Sequence, residues 1–237
     1  MLPFLQGIDY ENLEYGSKLN FAAVGSNNGH DGKSGSPFVN PEVLADFTSR
    51  SIHTETIVGK QIVQQYYGRS QNKSYYLGCS TGGRQGTYSA LHYPEDFDGI
   101  LAGAPGTDWH HLMGWEGFLS LYTGAPEGNT SAKFISSDLW DVVAAETLNQ
   151  CDELDGVKDG VITEPDDCNF SPDVLLCSSN RTESCLTETQ VAALHKVYSP
   201  LYGDKHELLY PRYDPGSEGD TLRYQFSGAP FAFTLVR

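Results

Sequence analysis

The sequence is short of positive charge. Its 237 residues carry 15 Lys and Arg against 31 Asp and Glu, a formal net charge of −16. Nucleic acids and anionic bilayers are gripped by lysine and arginine, so this balance argues against both as partners. Long apolar runs are missing too, and no stretch could cross a bilayer as a helix. The first residues, Met-Leu-Pro-Phe-Leu-Gln-Gly, have neither the basic start nor the apolar middle of a secretion signal. The phosphate-cradling patterns Gly-Lys-Ser/Thr and G-x-G-x-x-G are absent. What is present is ample for a packed interior, with 14 Tyr, 11 Phe and 3 Trp. The length suits one large domain, or one domain with a partial second.

Cysteine is scarce and unevenly placed. Four of the five lie between 151 and 185, and Cys79 stands apart. A tight even cluster with one left over reads as two local disulfides and one cysteine whose partner is elsewhere. Acceptor sequons for N-linked glycans occur at Asn72, Asn129, Asn169 and Asn180. Both features are those of a secreted protein. With no secretion signal at the start, the expectation is that the beginning of the natural protein is missing.

Residues 19–24, Leu-Asn-Phe-Ala-Ala-Val, read as a buried strand running into a Gly/Asn loop. Helical spacing covers 51–67 and stops at Gly68. A short strand follows at Tyr75-Tyr76-Leu77, then a helix over 84–92 and another buried strand over 97–105. This alternation predicts a parallel sheet with crossover helices, an α/β fold. From about 106 the apolar runs scatter. Helices are expected at 137–150, capped by Ser137 or Asp138, and at 187–198, opened by the Thr187-Glu188-Thr189-Gln190 capping box. The stretch 203–237 is turn-rich and has no period. The division is therefore a core at 1–105 and an inserted or appended domain at 106–237.

Gly78-Cys79-Ser80-Thr81-Gly82 fits G-x-S-x-G between a predicted strand and a predicted helix, the setting of a nucleophile elbow. The turn would lift the Ser80 hydroxyl off the sheet edge and set the Thr81 N–H at a helix N-terminus, where an oxyanion is stabilised. The alternatives are a structural serine in a glycine-rich βα turn and a phosphate loop. A serine nucleophile needs a base and an acid. His92, His110, His111, His195 and His206 follow Ser80 without a strand–loop setting, and His30 and His53 read as structural. The triad is thus incomplete within these residues.

Residues 151–168 are strongly acidic, and Asp155-Gly156-Val157 recurs as Asp159-Gly160-Val161. Two such turns would bring Asp152, Asp155 and Asp159 together with the Val157 and Val161 carbonyls. These are the hard oxygen ligands that Ca²⁺ takes, although the spacing is not that of an EF-hand. A disulfide between Cys151 and Cys168 would fix the ends of the loop. The alternative is a solvated acidic turn.

The stretch from Tyr76 to Gly86, the run His92-Tyr93-Pro94-Glu95-Asp96-Phe97-Asp98-Gly99-Ile100, the triplet Gly103-Ala104-Pro105 and the 151–168 loop together resemble the tannase and feruloyl esterase family of fungi and bacteria. The resemblance implies an α/β-hydrolase core with a lid inserted after Pro105, Ser80 as nucleophile and Thr81 as an oxyanion donor. It implies Ca²⁺ held by Asp152, Asp155, Asp159, Val157 and Val161, and disulfides Cys151–Cys168 and Cys177–Cys185. It also implies that Cys79 pairs with a cysteine beside the catalytic histidine. No His-Cys dipeptide occurs here, and the family's glycine-rich oxyanion loop and its Asp are not found. The expectation is an internal fragment of a secreted serine carboxylesterase, inactive as written, whose substrates are phenolic esters such as those of plant cell walls and tannins. The competing expectations are a non-catalytic, calcium-stabilised extracellular binding module and a hydrolase of amides.

Overall fold

Tyr75 to Cys79 is rich in β-formers and forms strand β1; residues 99–103 form β2. The computed structural model describes residues 8–31, 36–180 and 182–219. They divide into two compact units, Met1–Thr107 and Asp108–Arg237.

In the first unit, Asp9 caps helix α1 (Tyr10–Lys18) and Asn40 caps the short α2 (Pro41–Ala45). A π-helical turn (Asp46–Arg50) leads into α3 (Ser51–Tyr67), which ends where Gly68 takes φ 66°. Strand β1 then runs into α4 (Thr81–His92), which crosses to β2. The two strands pair in parallel, Tyr75 against Gly99 through Cys79 against Gly103. This is the predicted strand–crossover–strand unit, with α4 starting three residues earlier than expected. Residues 19–24 are corrected: they form no strand, and Phe21 and Val24 are about half exposed. A strand exists only through a pairing partner, and none is bonded to this segment among the described residues. The predicted burial of the 97–105 strand is also corrected, since Leu101 is 66 % exposed; Leu77 of β1 is 47 % exposed.

The second unit contains α5 (Trp109–Tyr122), α6 (Ser137–Cys151), α7 (Glu188–Val197) and a small hairpin of β3 (Leu201–Tyr202) with β4 (Leu208–Tyr210). Helix α6 is capped by Ser136, whose hydroxyl accepts from the Leu139 N–H; the cap lies one residue before the predicted pair. The capping box at Thr187 and Gln190 is present as predicted. The hairpin corrects the reading of 203–237 as patternless at its start, while residues 220–237 lie outside the described set. Trp140, Leu119, Ile135, Leu175, Leu186 and Leu194 form the core of this unit. Disulfides Cys151–Cys168 and Cys177–Cys185 staple its loops. Among the described residues no helix is long and apolar enough to cross a membrane.

Candidate active site

The joint between β1 and α4 is a sharp elbow with Ser80 at its apex. Ser80 has φ 60° and ψ −114°, a backbone state that a residue with a Cβ adopts only under constraint. The constraint is visible. The Ser80 N–H donates to the Gly103 carbonyl at 3.0 Å, and the Arg84 N–H donates to the Ser80 carbonyl at 3.0 Å. The Tyr76 hydroxyl donates to the Gly82 carbonyl at 2.9 Å, pinning the strand to the first turn of the helix. Glycine is sterically required at Gly78, where a Cβ would stand 2.7 Å from the carbonyl carbon and oxygen of Gly82. Thr81 opens α4, so its N–H belongs to the first turn, which has no intrahelical acceptor.

Ser80, Thr81 and Gly82 line a cavity of about 470 Å³. The same cavity is lined by Gly25, Ser26 and Asn28 in the loop after the extended segment, and by Glu55 of α3. Burial raises the Glu55 carboxyl above its ordinary value, against hydrogen bonds from Ser26 that pull it down. Burial likewise raises the Tyr76 phenol, with Glu55 adding to the shift. Arg84 donates to the carbonyls of Thr48 (3.0 Å) and Phe47 (3.3 Å) and sits over the Phe47 ring; burial lowers its pKa. Among the described residues no histidine lines this cavity, and none hydrogen-bonds the Ser80 hydroxyl.

Of the two histidines read as structural, His53 is hydrogen-bonded, whereas the buried Nε2 of His30 has no partner among the described residues. His53 Nδ1 meets Asp96 Oδ2 at 2.7 Å and the ring stacks on Tyr93, tying α3 to the turn before β2. His30 is 4 % exposed between Phe38 and Phe47. Cys79 is a free, exposed thiol.

The acidic loop folds as two Asp-Gly turns, with Gly156 at φ 88° and Gly160 at φ 80°. Its carboxylates, however, turn onto the loop's own backbone. Asp155 accepts from the Val157 N–H at 2.8 Å, Asp159 from the Val161 N–H at 3.0 Å, and Asp152 from the Gly160 N–H at 2.9 Å. Bonds from Thr163 and the Val157 N–H hold the Asp155 carboxyl below its ordinary value. Among the described residues no three His, Cys, Asp or Glu side chains stand together as a metal site. The donor chemistry suits calcium, and Asp152 is a carboxylate only 7 % exposed with no cationic partner among the described ion pairs.

Sequence reasoning gave no role to Glu55, Asn28 or Gln85. Glu55 carries no local pattern, and Gln85 sits inside the quoted motif without a recognisable chemistry of its own.

The model of the family described as "Tannase and feruloyl esterase" matches residues 9–227. The chain is 46 % identical over 229 residues to "Probable feruloyl esterase B-2" of Aspergillus flavus and 48 % identical to "Probable feruloyl esterase B" of Emericella nidulans. Each match covers 96 % of this chain and 43 % of the relative, so the chain spans less than half of their length. The crystal structure of feruloyl esterase B from Aspergillus oryzae superposes with a TM-score of 0.87 at 42 % identity, over 97 % of this chain and 46 % of that one. A tannin acyl hydrolase from Aspergillus niger shares the fold at a TM-score of 0.62 and 21 % identity, over 76 % of this chain and 34 % of that one.

Proposed function

Since the chain belongs to the tannase and feruloyl esterase family, we propose that Ser80 is the nucleophile of a carboxylic ester hydrolase acting on phenolic esters, feruloyl or galloyl. The Ser80 oxygen attacks the ester carbonyl carbon, and its proton passes to a general base supplied from outside the described residues. The carbonyl oxygen becomes an oxyanion, for which the Thr81 N–H is one donor. Collapse breaks the bond to the alcohol, which leaves with the proton, and water releases the acid from the acyl-enzyme. The observation that carries this reading is the strained Ser80 backbone at the β1–α4 joint.

The test is a graft. Residues 9–227 replace their counterparts in the feruloyl esterase B of Aspergillus oryzae, and hydrolysis of methyl ferulate and methyl gallate is followed. The expected result is an active graft in which Ser80→Ala lowers kcat by about three or more powers of ten. A Ser80→Ala graft that keeps its rate overturns the assignment.

Secretion is the reading best supported by the two disulfides and by the exposure of Asn72, Asn129, Asn169 and Asn180. Expression in a glycosylating host should give a product whose mass falls on endoglycosidase treatment. For the acidic loop the proposal is a structural Ca²⁺ held by the carboxylates of Asp152, Asp155 and Asp159 and the carbonyls of Val157 and Val161. Its support is the donor chemistry and the buried Asp152. Calcium titration should raise the melting temperature of the second unit, and Asp152→Asn should abolish that rise; no rise with the unaltered chain counts against the site.

A further inference from the structure

The loop that shares a cavity with Ser80 is held by the helix that begins at the elbow. Asn28 has φ 52°, and its side-chain oxygen is the meeting point of two donors. The Ser51 hydroxyl from α3 donates to Asn28 Oδ1 at 3.0 Å, and Gln85 Nε2 from α4 donates to the same atom at 3.2 Å. The Gln85 amide also reaches the Phe47 carbonyl at 3.4 Å. Gln85 is 6 % exposed, and a buried carboxamide with these two acceptors has little freedom to reorient. Ser26, two residues earlier, is bonded to Glu55. Gly25, Ser26 and Asn28 and the elbow residues Ser80, Thr81 and Gly82 line one cavity, as does Gln85 itself, so the bond from Gln85 ties the loop part of that lining to the elbow helix.

We infer that Gln85 is a positioning residue, a strut from the elbow helix that acts through Asn28 to fix the width of the cavity in front of Ser80. The inference rests on reading Ser80 as the nucleophile. A strut of this kind acts on substrate binding: the ester is gripped between loop and elbow, while the attacking oxygen is placed by the β1–α4 backbone. Asn28 does its part through an acceptor oxygen and a left-handed backbone, and the two can be separated by substitution. Asn28→Asp keeps acceptor oxygens for Ser51 and Gln85. Asn28→Gly keeps the backbone freedom and removes the acceptor.

The experiment has two arms. In the full chain, hydrogen exchange is measured at the Gly29 and His30 amides beside a thermal melt. Gln85→Met, which keeps length and removes the donor, and Asn28→Gly should speed these amides about tenfold, the effect of losing one ordinary hydrogen bond on a local opening. Asn28→Asp should leave them near the original rate. In the graft, Gln85→Met should raise KM for methyl ferulate severalfold with kcat within about twofold, as loss of uniform binding does. Unmoved loop amides, a change confined to kcat, or Asn28→Asp behaving like Asn28→Gly each overturn the strut. A Ser80→Ala graft that stays active overturns the nucleophile instead, whatever the loop amides do.

Discussion

Replacing Gly83 by alanine tests the elbow more sharply than replacing any polar residue. Gly83 is buried in the first turn of α4, and a Cβ there would fall onto the Gly103 carbonyl oxygen, with the Pro105 Cα at 3.0 Å and the Gly103 carbon at 3.1 Å. All three are backbone atoms, so no side-chain rotation relieves the clash; the helix must lift away from the end of β2. Lifting it loosens the Ser80 N–H bond to that same Gly103 oxygen. Overpacking costs about 1–3 kcal/mol, and contact with rigid backbone puts this case near about 3 kcal/mol. For a unit of 107 residues, at about 4–8 °C per kcal/mol, the first unit's melting temperature should fall by roughly 12–24 °C. Gly82→Ala is the control. Its Cβ would meet only the Tyr76 hydroxyl, at 3.5 Å, and the gain in helix propensity is up to about 1 kcal/mol. Calorimetry of the three chains decides the matter. A Gly83→Ala chain melting within a degree or two of the original, or a Gly82→Ala chain melting equally low, refutes the packing argument.

Ser80→Gly should release the strain of φ 60°, about 1–3 kcal/mol, against about 0.5–1 kcal/mol for the freer unfolded chain. The melting temperature should therefore rise while the graft loses hydrolysis; a lower melting temperature counts against stored strain. Burial raises the Glu55 carboxyl, so its protonated form is favoured by folding: stability is full at acid pH and declines as pH rises through the raised value. Glu55→Gln should flatten that decline in melts between pH 4 and pH 8 (roughly the range in which a raised carboxyl titrates), and an unchanged slope would sink the assignment. Replacing Cys151 and Cys168 by serine opens a loop of 17 residues. That should cost the second unit about 3 kcal/mol in urea unfolding.

Much of the fold could be read from local signals because those signals are self-contained. Gly68 ends α3 with the left-handed backbone that its position implies, and Thr187 with Gln190 builds its capping box from four consecutive residues. The β1–α4–β2 unit follows from spacing alone, since a crossover helix needs only its own residues and the two strands it joins. Residues 19–24 carry the same apolar signal as β2 yet form no strand, because pairing depends on a neighbour that local sequence does not specify. Leu77 and Leu101 remain exposed for a related reason. A parallel sheet is covered on both faces by other elements, and apolar composition states the need for a cover without supplying it.

The two candidate sites differ in the same way. The elbow is built by backbone against backbone: Gly78 on Gly82, Gly83 on Gly103, and Ser80 bonded to Gly103 and Arg84. Small residues at fixed offsets announce such contacts, so G-x-S-x-G marks the bend at Ser80 in the sequence itself. The strut from Gln85 to Asn28 spans 57 residues and has no offset to announce it. In the acidic loop the Asp-Gly turns appear where the repeat puts them, but an Asp-Gly turn fixes backbone and leaves the carboxylate free to choose between an ion and the nearest N–H. Sequence therefore specifies the geometry of the Ser80 elbow directly, because that geometry is backbone, whereas a calcium geometry at Asp152, Asp155 and Asp159 would have to be imposed by the ion in competition with three amides that already hold those side chains.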